Sequence, residues 1–203
     1  MKPARREAPP RVDIRQVKRE LRAKYRGIRE NLDPEEKRRW DEAIFCRLVN
    51  SPFYRSAKTL LCFVSTGIEV DTHALLRRAF ADGKRVAVPK CLDRSGNMDF
   101  FVIRSMEDLK PALFGLLEPD EHTAPRLGDY RDSVCILPAF AFDADGYRIG
   151  FGKGYYDRFL QKYPGVKVGV CYNACIAPAL PRGRFDVAAD YVVTQKYTMT
   201  IKK

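Results

Sequence analysis

The chain has 203 residues, of which 45% are hydrophobic and 31% charged, and a formal net charge of +11. That length and balance suit one globular domain with a substantial core, and they exclude a disordered or fibrous chain. The longest apolar run, Val134 to Phe142, is short and holds Pro138, so nothing approaches the roughly 18 residues of a membrane helix.

The opening "MKPARREAPPRVDIRQ" has no apolar centre for a secretory signal, and Glu7, Asp13 and the prolines argue against a transit peptide. Its first 31 residues hold eleven Lys or Arg against four Asp or Glu, so +7 of the +11 sits there. Either an anionic partner or a solvated helix face accounts for such a bias. Residues 1–13 read as a basic, disordered arm and residues 14–203 as a single α/β domain.

Ile14, Val17, Leu21, Tyr25, Ile28 and Leu32 recur at helical spacing, which puts Lys18 and Arg22 along one edge of the apolar stripe. Asp33, Pro34 and Glu36 open a second helix, with Trp40, Ile44 and Leu48 as its buried stripe. "TLLCFVS", Thr59 to Ser65, is a buried strand. "EVDTHALLRRAFADG" is a helix capped near Asp71 or Thr72 and closed by Gly83. "KRVAVPKC", ending as a strand at Pro89, and "MDFFVIR" follow. "SVCILPAFAF" reads as one central strand and "YYDRFLQKY" as a short helix; "VKVGVCYN" and "DYVVT" are the last strands. This alternation predicts a largely parallel sheet covered by helices.

Two histidines, His73 and His122, make triad and zinc hydrolysis poor fits. Of six cysteines, Cys62, Cys91 and Cys135 fall in core strands, where free thiols pack as small hydrophobes. Cys171 and Cys175 have no third ligand nearby in sequence, so zinc is not expected. The pattern is that of a reduced, cytoplasmic protein.

The stretch "DADGYRIGFGKGYYDRF", Asp143 to Phe159, is the one that asks for chemistry. Closely spaced glycines let backbone N–H groups approach a ligand, and Lys153 adds a charge suited to phosphate. It is not a P-loop, because Gly152-Lys153 is followed by Gly154 rather than Ser or Thr. Nor is it a dinucleotide fingerprint, because the spacing is G-x-G-x-G. A phosphate cradle and a plain strand-to-helix linker both remain open from spacing alone.

The same residues resemble a known signature. "FDADGYRIGFGKGYYDRFL" is similar to the motif of the 5-formyltetrahydrofolate cyclo-ligase family, roughly F-D-x-x-G-x-R-hydrophobic-G-x-G-x-G-Y-Y-D. "KRELR" (Lys18 to Arg22), "EVDT" (Glu69 to Thr72), "FGLLEP" and "ALPRGRFDVAADYVVT" resemble further family segments in the right order. One departure is Phe151, where the family often carries Tyr or Arg.

The resemblance implies a three-layer α/β/α sandwich akin to the phosphosugar isomerase and CoA-transferase class. It implies that ATP and 5-formyltetrahydrofolate give ADP, phosphate and 5,10-methenyltetrahydrofolate, with Mg²⁺ required. Carried over by motif, ATP would meet Lys18, Arg19, Glu20, Leu21 and Arg22, and then Arg148, Ile149, Gly150, Phe151, Gly152, Lys153, Gly154, Tyr155 and Tyr156. The folate would meet Val64 and Glu69 together with Phe151, Gly152, Lys153, Gly154 and Tyr155. Lys153, Arg148, Tyr155 and Tyr156 would serve the reacting centre, and Asp157 and Asp186 would hold Mg²⁺. Read without the resemblance, Lys18 and Arg22 fit a solvated helix edge, the two tyrosines fit core packing, and Glu69 and Asp157 fit helix-start charges. The partners implied are ATP and a reduced folate, with polyglutamylated forms as candidates, and neither nucleic acid nor membrane. Two readings compete: a phosphosugar-type isomerase on the same fold, which needs no ATP, and an RNA-binding basic arm, for which no standard motif is present.

Overall fold

The computed structural model describes residues 13–93, 95–112 and 116–202. Of the arm predicted at 1–13, residues 1–12 lie outside the described residues, as do Phe114 and Gly115 of the "FGLLEP" segment, while Asp13 is described and belongs to the first helix. Asp13 is the N-cap of the first helix, α1 (Ile14–Glu30), and its side chain accepts from the Arg15 N–H. Tyr25 and Arg29 are the buried residues of α1, and Leu21, Ile28 and Leu32 pack against the core from partly covered positions.

Helix α2 (Pro34–Asn50) starts where the sequence places it: the Asp33 carboxylate accepts from the N–H groups of Glu35 and Glu36 at 3.0 Å each. This satisfies two of the orphan donors of a helix start. Ile44 and Leu48 are buried as predicted, and Asp41 is buried beside them. A one-turn helix not foreseen in the sequence, α3 (Pro52–Ser56), follows with Ser51 as its cap. Helix α4 (His73–Ala81) ends with Gly83 at φ 70°, whose N–H bonds to Phe80 O while Lys84 N–H bonds to Ala79 O. This closure needs a left-handed residue, which is why glycine stands there.

The remaining elements are strands β1 (Thr59–Cys62), β2 (Arg85–Cys91), β3 (Met98–Ile103), β4 (Leu109–Pro111), β5 (Leu117–Pro119), β6 (Ser133–Leu137), β7 (Ala141–Asp143), β8 (Arg148–Ile149), β9 (Val166–Val170), β10 (Ile176–Ala177), β11 (Tyr191–Val193) and β12 (Thr198–Thr200), with helix α5 (Tyr155–Leu160) between β8 and β9. Seven strands form one sheet in the order β12-β11-β9-β6-β1-β2-β3. The pairings from β11 through β9, β6 and β1 to β2 are parallel, and the outer pairs β2–β3 and β11–β12 are antiparallel. The residues of β1 and β6 are fully buried, as strands covered on both faces must be.

Register and pleat assign the layers. Phe100, Leu61, Cys135 and Gly169 share one face through their pairings, and Tyr191 points to the other. Phe100 meets Phe159 of α5 on the first face, and Tyr191 meets Phe53 of α3 on the second. Helices therefore flank both faces, the three-layer arrangement expected from the sequence. A small sheet, β10-β7-β8, lies on the α5 face. A Cβ on Gly169 would sit 2.4 Å from the Phe142 ring, so β9 has a glycine where β7 presses against it.

Several sequence expectations are corrected. "SVCILPAFAF" is not one strand: Pro138 ends β6, and the chain changes sheets into β7. Pro138 lacks the N–H to continue a ladder. The next carbonyls, Ala139 and Phe140, are taken by the Arg29 guanidinium, so the break is held from α1. β1 stops at Cys62 rather than Ser65, because Phe63 O accepts from the Thr72 hydroxyl instead of from a strand. β2 runs past Pro89 to Cys91; β1 no longer pairs with it beyond Ala87, so it tolerates a proline there. Cys91 is accordingly exposed rather than in the core. Cys62 and Cys135 are buried, and burial pushes both thiols up, so they stay protonated.

Candidate active site

The strand order reverses between β1 and β6. The chain leaves β1 toward β2 on one side, and leaves β6 toward β9 and β11 on the other. In open α/β sheets ligands bind outside the carboxyl ends of the strands at such a point. Here the loop after β1 carries Val64 and Glu69, and the chain after β6 carries the glycine segment.

The loop after β1 is prebuilt. Thr72 ties its two ends, donating to Phe63 O at 2.7 Å and accepting from Ser65 N–H at 3.0 Å. Glu69 is buried and folds back on Thr66, accepting from its N–H at 2.9 Å and its hydroxyl at 3.2 Å. Burial raises the Glu69 pKa; the Thr66 bonds and the fields of Arg29 and Lys37 oppose the rise. Beside it a cavity of about 610 Å³ opens between α2 and this loop, lined by Lys37, Arg38, Asp41, Thr66, Glu69 and His73 among others. That volume is in the range of small-molecule sites. Val64 is buried at the root of the loop.

The glycine segment is shaped by its neighbours. Gly152 and Gly154 have φ of 94° and 73°, conformations that side chains disfavour. Arg22 of α1 donates from Nε to Gly150 O at 2.8 Å, and its guanidinium lies 3.1 Å from where a Gly152 Cβ would be. Lys18, one turn earlier, pairs with Asp186 at 2.6 Å. So the two basic residues of the apolar stripe's edge do not face open solvent; α1 lays them on the glycine segment and the 183–187 turn. Arg19 and Glu20 of the same run are exposed, and Leu21 packs on the core.

Arg148 is buried. It donates to Val187 O at 2.7 Å and to Asp157 Oδ1 at 2.6 Å. Asp157 Oδ1 also accepts from Val187 N–H at 3.3 Å, while Asp186 Oδ2 accepts from Gly183 N–H at 2.9 Å. The two aspartates predicted to hold a metal thus both engage the 183–187 turn. Among the described residues, Asp157 Oδ2 and Asp186 Oδ1 accept no hydrogen bond, which leaves one free oxygen on each. Two such hard oxygen donors are of the kind that Mg²⁺ favours, and Asp157 and Asp186 would be the residues to hold it.

Lys153 is exposed and makes no ion pair among the described residues; its carbonyl accepts from Arg158 at 3.0 Å. Ile149 is buried, whereas Phe151 is 52% exposed with its ring 4.7 Å from that of Phe140. The Tyr155 hydroxyl donates to Asp93 O at 2.8 Å. Among the described residues the Tyr156 hydroxyl is buried without a hydrogen-bond partner, and burial pushes its pKa well above the ordinary value. The fields of Cys135, Cys62 and Glu69 push it the same way, and that of Arg148 opposes them.

Residues that the sequence reading missed complete the frame. Arg158 clamps the glycine segment, and Asp41 and Tyr172 brace the Glu69 loop. Arg29 is buried with no carboxylate partner among the described residues. Its signal was available, since it continues the Lys18–Arg22 edge seven residues on. Asp41 and Tyr172 gave none, being brought together from distant parts of the chain.

A small-molecule enzyme of the α/β class, with a basic, glycine-rich half and a buried-carboxylate half, is the class that this arrangement fits. The family model of 5-formyltetrahydrofolate cyclo-ligases matches residues 14–195. A probable 5-formyltetrahydrofolate cyclo-ligase of Caenorhabditis elegans is 28% identical over 92% of this chain and 96% of its own. The 5-formyltetrahydrofolate cyclo-ligase of Escherichia coli (strain K12) is 31% identical over 83% of this chain and 95% of its own. The solved 5,10-methenyltetrahydrofolate synthetase of Aquifex aeolicus superposes with a TM-score of 0.81 at 34% identity, covering 92% of this chain and 94% of that one. The chain belongs to the 5-formyltetrahydrofolate cyclo-ligase family and is an enzyme of folate one-carbon metabolism, for which the family implies ATP as co-substrate. Among the described residues no helix is long and apolar enough to cross a membrane.

Proposed function

We propose that the enzyme closes 5-formyltetrahydrofolate to 5,10-methenyltetrahydrofolate by phosphorylating the formyl oxygen with ATP. The formyl group on N5 is an amide, and its oxygen leaves poorly. Transfer of the γ-phosphoryl group to that oxygen makes it a leaving group and releases ADP. N10 of the same folate then attacks the formyl carbon, the carbon–oxygen bond breaks, phosphate departs and N10 loses its proton. The ring closure is intramolecular, so a bound, bent folate supplies much of the rate. Phosphoryl transfer needs positioning and charge neutralisation more than a strong base, which suits a site poor in histidine.

The observation that carries this reading is the meeting of Lys18, Arg22, Arg148 and Lys153 with Asp157 and Asp186 around one glycine segment, with a buried glutamate on the loop after β1, the neighbour of β6 in the sheet. Lys153, with no carboxylate of its own among the described residues, takes a γ-phosphate oxygen. Lys18 and Arg22 hold the triphosphate against the backbone of Gly150, Gly152 and Gly154. Arg148 keeps Asp157 in place. Mg²⁺, held by the free oxygens of Asp157 and Asp186, supplies charge neutralisation at the phosphates. Glu69 accepts from the paired N–H groups of the pterin, a match a carboxylate makes well. Tyr155 and Tyr156 border the reacting centre, and Phe151 offers an exposed ring at its rim. Polyglutamylated folates are included as substrates, and the six free cysteines support a reducing, cytoplasmic setting.

The test is direct. The purified chain is mixed with ATP, Mg²⁺ and 5-formyltetrahydrofolate, and the methenyl chromophore is followed against controls lacking ATP or the metal. Product only in the complete mixture is expected. Product without ATP would defeat the phosphorylation step, and no product at any enzyme concentration would defeat the reading as a whole.

A further inference from the structure

Asp41 stands on the inner face of α2, in line with the buried Ile44 and Leu48, where an apolar side chain would normally pack. A carboxylate at such a position is costly unless it is paired and hydrogen-bonded. Here both oxygens are engaged. Oδ2 accepts from Lys37 Nζ at 2.8 Å. Oδ1 accepts from the Asp71 N–H at 3.1 Å and from the Tyr172 hydroxyl at 2.8 Å. Tyr172 is fully buried, between the Trp40 ring at 5.5 Å and the Arg29 guanidinium at 5.8 Å. Its hydroxyl also lies 3.3 Å from Glu69 O.

These contacts bracket Glu69. Asp41 fixes the backbone two residues after it, and Tyr172 fixes the backbone of Glu69 itself. Asp41 lines the 610 Å³ cavity, yet both lone pairs of Oδ1 are taken by the Asp71 N–H and the Tyr172 hydroxyl and Oδ2 is held by Lys37, so its contacts are spent on the loop and its supports. We propose that Asp41, acting with Tyr172, is a positioning residue that sets Glu69 for the folate. This rests on the reading of Glu69 as the folate's carboxylate partner. Glu69 is gripped through its backbone from α2 and from the end of β9, so its side chain is left free to change partners from Thr66 to the substrate.

The experiment measures equilibrium binding of 5-formyltetrahydrofolate, and separately of Mg-ATP, to the full chain. The variants are Glu69→Gln, Asp41→Ala, Asp41→Asn and Tyr172→Phe, the last three each also combined with Glu69→Gln. Glu69→Gln and Asp41→Ala are each expected to weaken folate binding about tenfold, and Tyr172→Phe about threefold, with Mg-ATP binding unmoved. Asp41→Asn keeps an oxygen for Asp71 and Tyr172 and should recover most of the loss. In the Glu69→Gln background the other substitutions should add almost nothing, since groups that act through one another are not additive. Additive losses, equal loss of both ligands, or unchanged folate binding in Asp41→Ala and Tyr172→Phe would each overturn the proposal. Should Asp41→Ala not fold, Tyr172→Phe removes a single hydroxyl and carries the same cycle. Unweakened binding in Glu69→Gln would instead overturn the assignment of Glu69, and this proposal with it. Absence of folate binding by the unaltered chain would overturn the proposed function.

Discussion

The two halves of the crevice are built in opposite ways. The Glu69 half is interior: its carboxylate is buried, its loop is pinned by Thr72, Asp41 and Tyr172, and Glu69 Oε2 is held by Thr66. The glycine half is closer to solvent, and two of its four cations hold carboxylates across the gap, Lys18 on Asp186 and Arg148 on Asp157, while Arg22 and Lys153 have no carboxylate among the described residues. In the proposed reading the first half takes a neutral, donor-rich ring. The second sets four cations against two aspartates and so keeps a positive excess. A polyphosphate entering with a divalent cation brings net negative charge that balances this excess, whereas the cation alone would add to it. The difference predicts that substitutions in the glycine half change turnover and metal demand without unfolding the chain, while those in the Glu69 half show themselves in folate affinity and pH dependence.

The largest effect is expected at Lys153. It is exposed and free of ion pairs among the described residues, so its removal costs little stability. Lys153→Ala should lower kcat by roughly a hundredfold or more while leaving the melting temperature in place. Turnover near that of the unaltered enzyme, in steady-state assays of the folded variant, would detach Lys153 from the phosphate.

Tyr156 sharpens the comparison, because its hydroxyl is buried and unpartnered among the described residues. Deleting such a group is neutral or stabilising by about 1 kcal/mol if it only packs. Tyr156→Phe is expected to keep or raise the melting temperature and to cut kcat about tenfold. Equal kcat in the two proteins would reduce this residue to packing.

At the two aspartates the change is in metal demand. Asp157→Asn and Asp186→Asn each remove a charge from a hard-cation site and should raise the half-saturating Mg²⁺ concentration about tenfold at saturating ATP. Asp186→Asn also weakens the hold on Lys18. A Mg²⁺ titration that superposes on that of the unaltered enzyme would remove the aspartate concerned from the metal site.

Glu69 provides the pH test. Burial raises its pKa, and only the ionised form can accept from two pterin donors. Folate affinity should therefore fall on acidification while an ordinary glutamate would still be ionised, and Glu69→Gln should lack that limb. Without ligand the sign reverses: the folded chain holds this proton more tightly than the unfolded one. The Glu69 contribution to stability is thus present below the ordinary glutamate pKa and lost as pH rises through the raised value. A folate affinity flat across the acidic range would show that this carboxylate does not meet the substrate.

How much of this was legible in the sequence follows from the range of each interaction. The α1 stripe, the Asp33 cap, the Gly83 closure and the Gly152–Lys153–Gly154 run are local, and their residue types state their geometry. β7, β8 and β10 are two or three residues long, too short for a period to emerge, so the small sheet was invisible and Pro138 was absorbed into one long strand. The Lys18–Asp186 and Arg148–Asp157 pairs were foreseen as site residues but not as partners, since separation along the chain says nothing of which cation meets which carboxylate. Asp41 carries no mark in the sequence that separates it from the other charges of α2, and only the fold turns it inward.

The smallest effect is expected from the most basic part of the chain. Arg5, Arg6 and Arg11 precede Asp13, whose carboxylate caps α1 through the Arg15 N–H at 2.9 Å. Deleting residues 2–11 leaves that cap, and with it the helix that carries Lys18 and Arg22 to the glycine segment. The Michaelis constant for ATP should stay within about twofold at physiological salt, because charges that are not held at the phosphates are screened over about 8 Å. Lys18→Ala and Arg22→Ala should raise it several-fold in low and high salt alike, since their ammonium and guanidinium groups stand on Asp186 and Gly150 O. Any loss from the deletion should appear instead as weaker attraction for polyglutamylated folates at low ionic strength, and should vanish as salt is added. If the deletion cripples ATP use while the two point variants behave as the unaltered enzyme does, the nucleotide lies on the arm, and the charge balance argued for the glycine half concerns some other ligand.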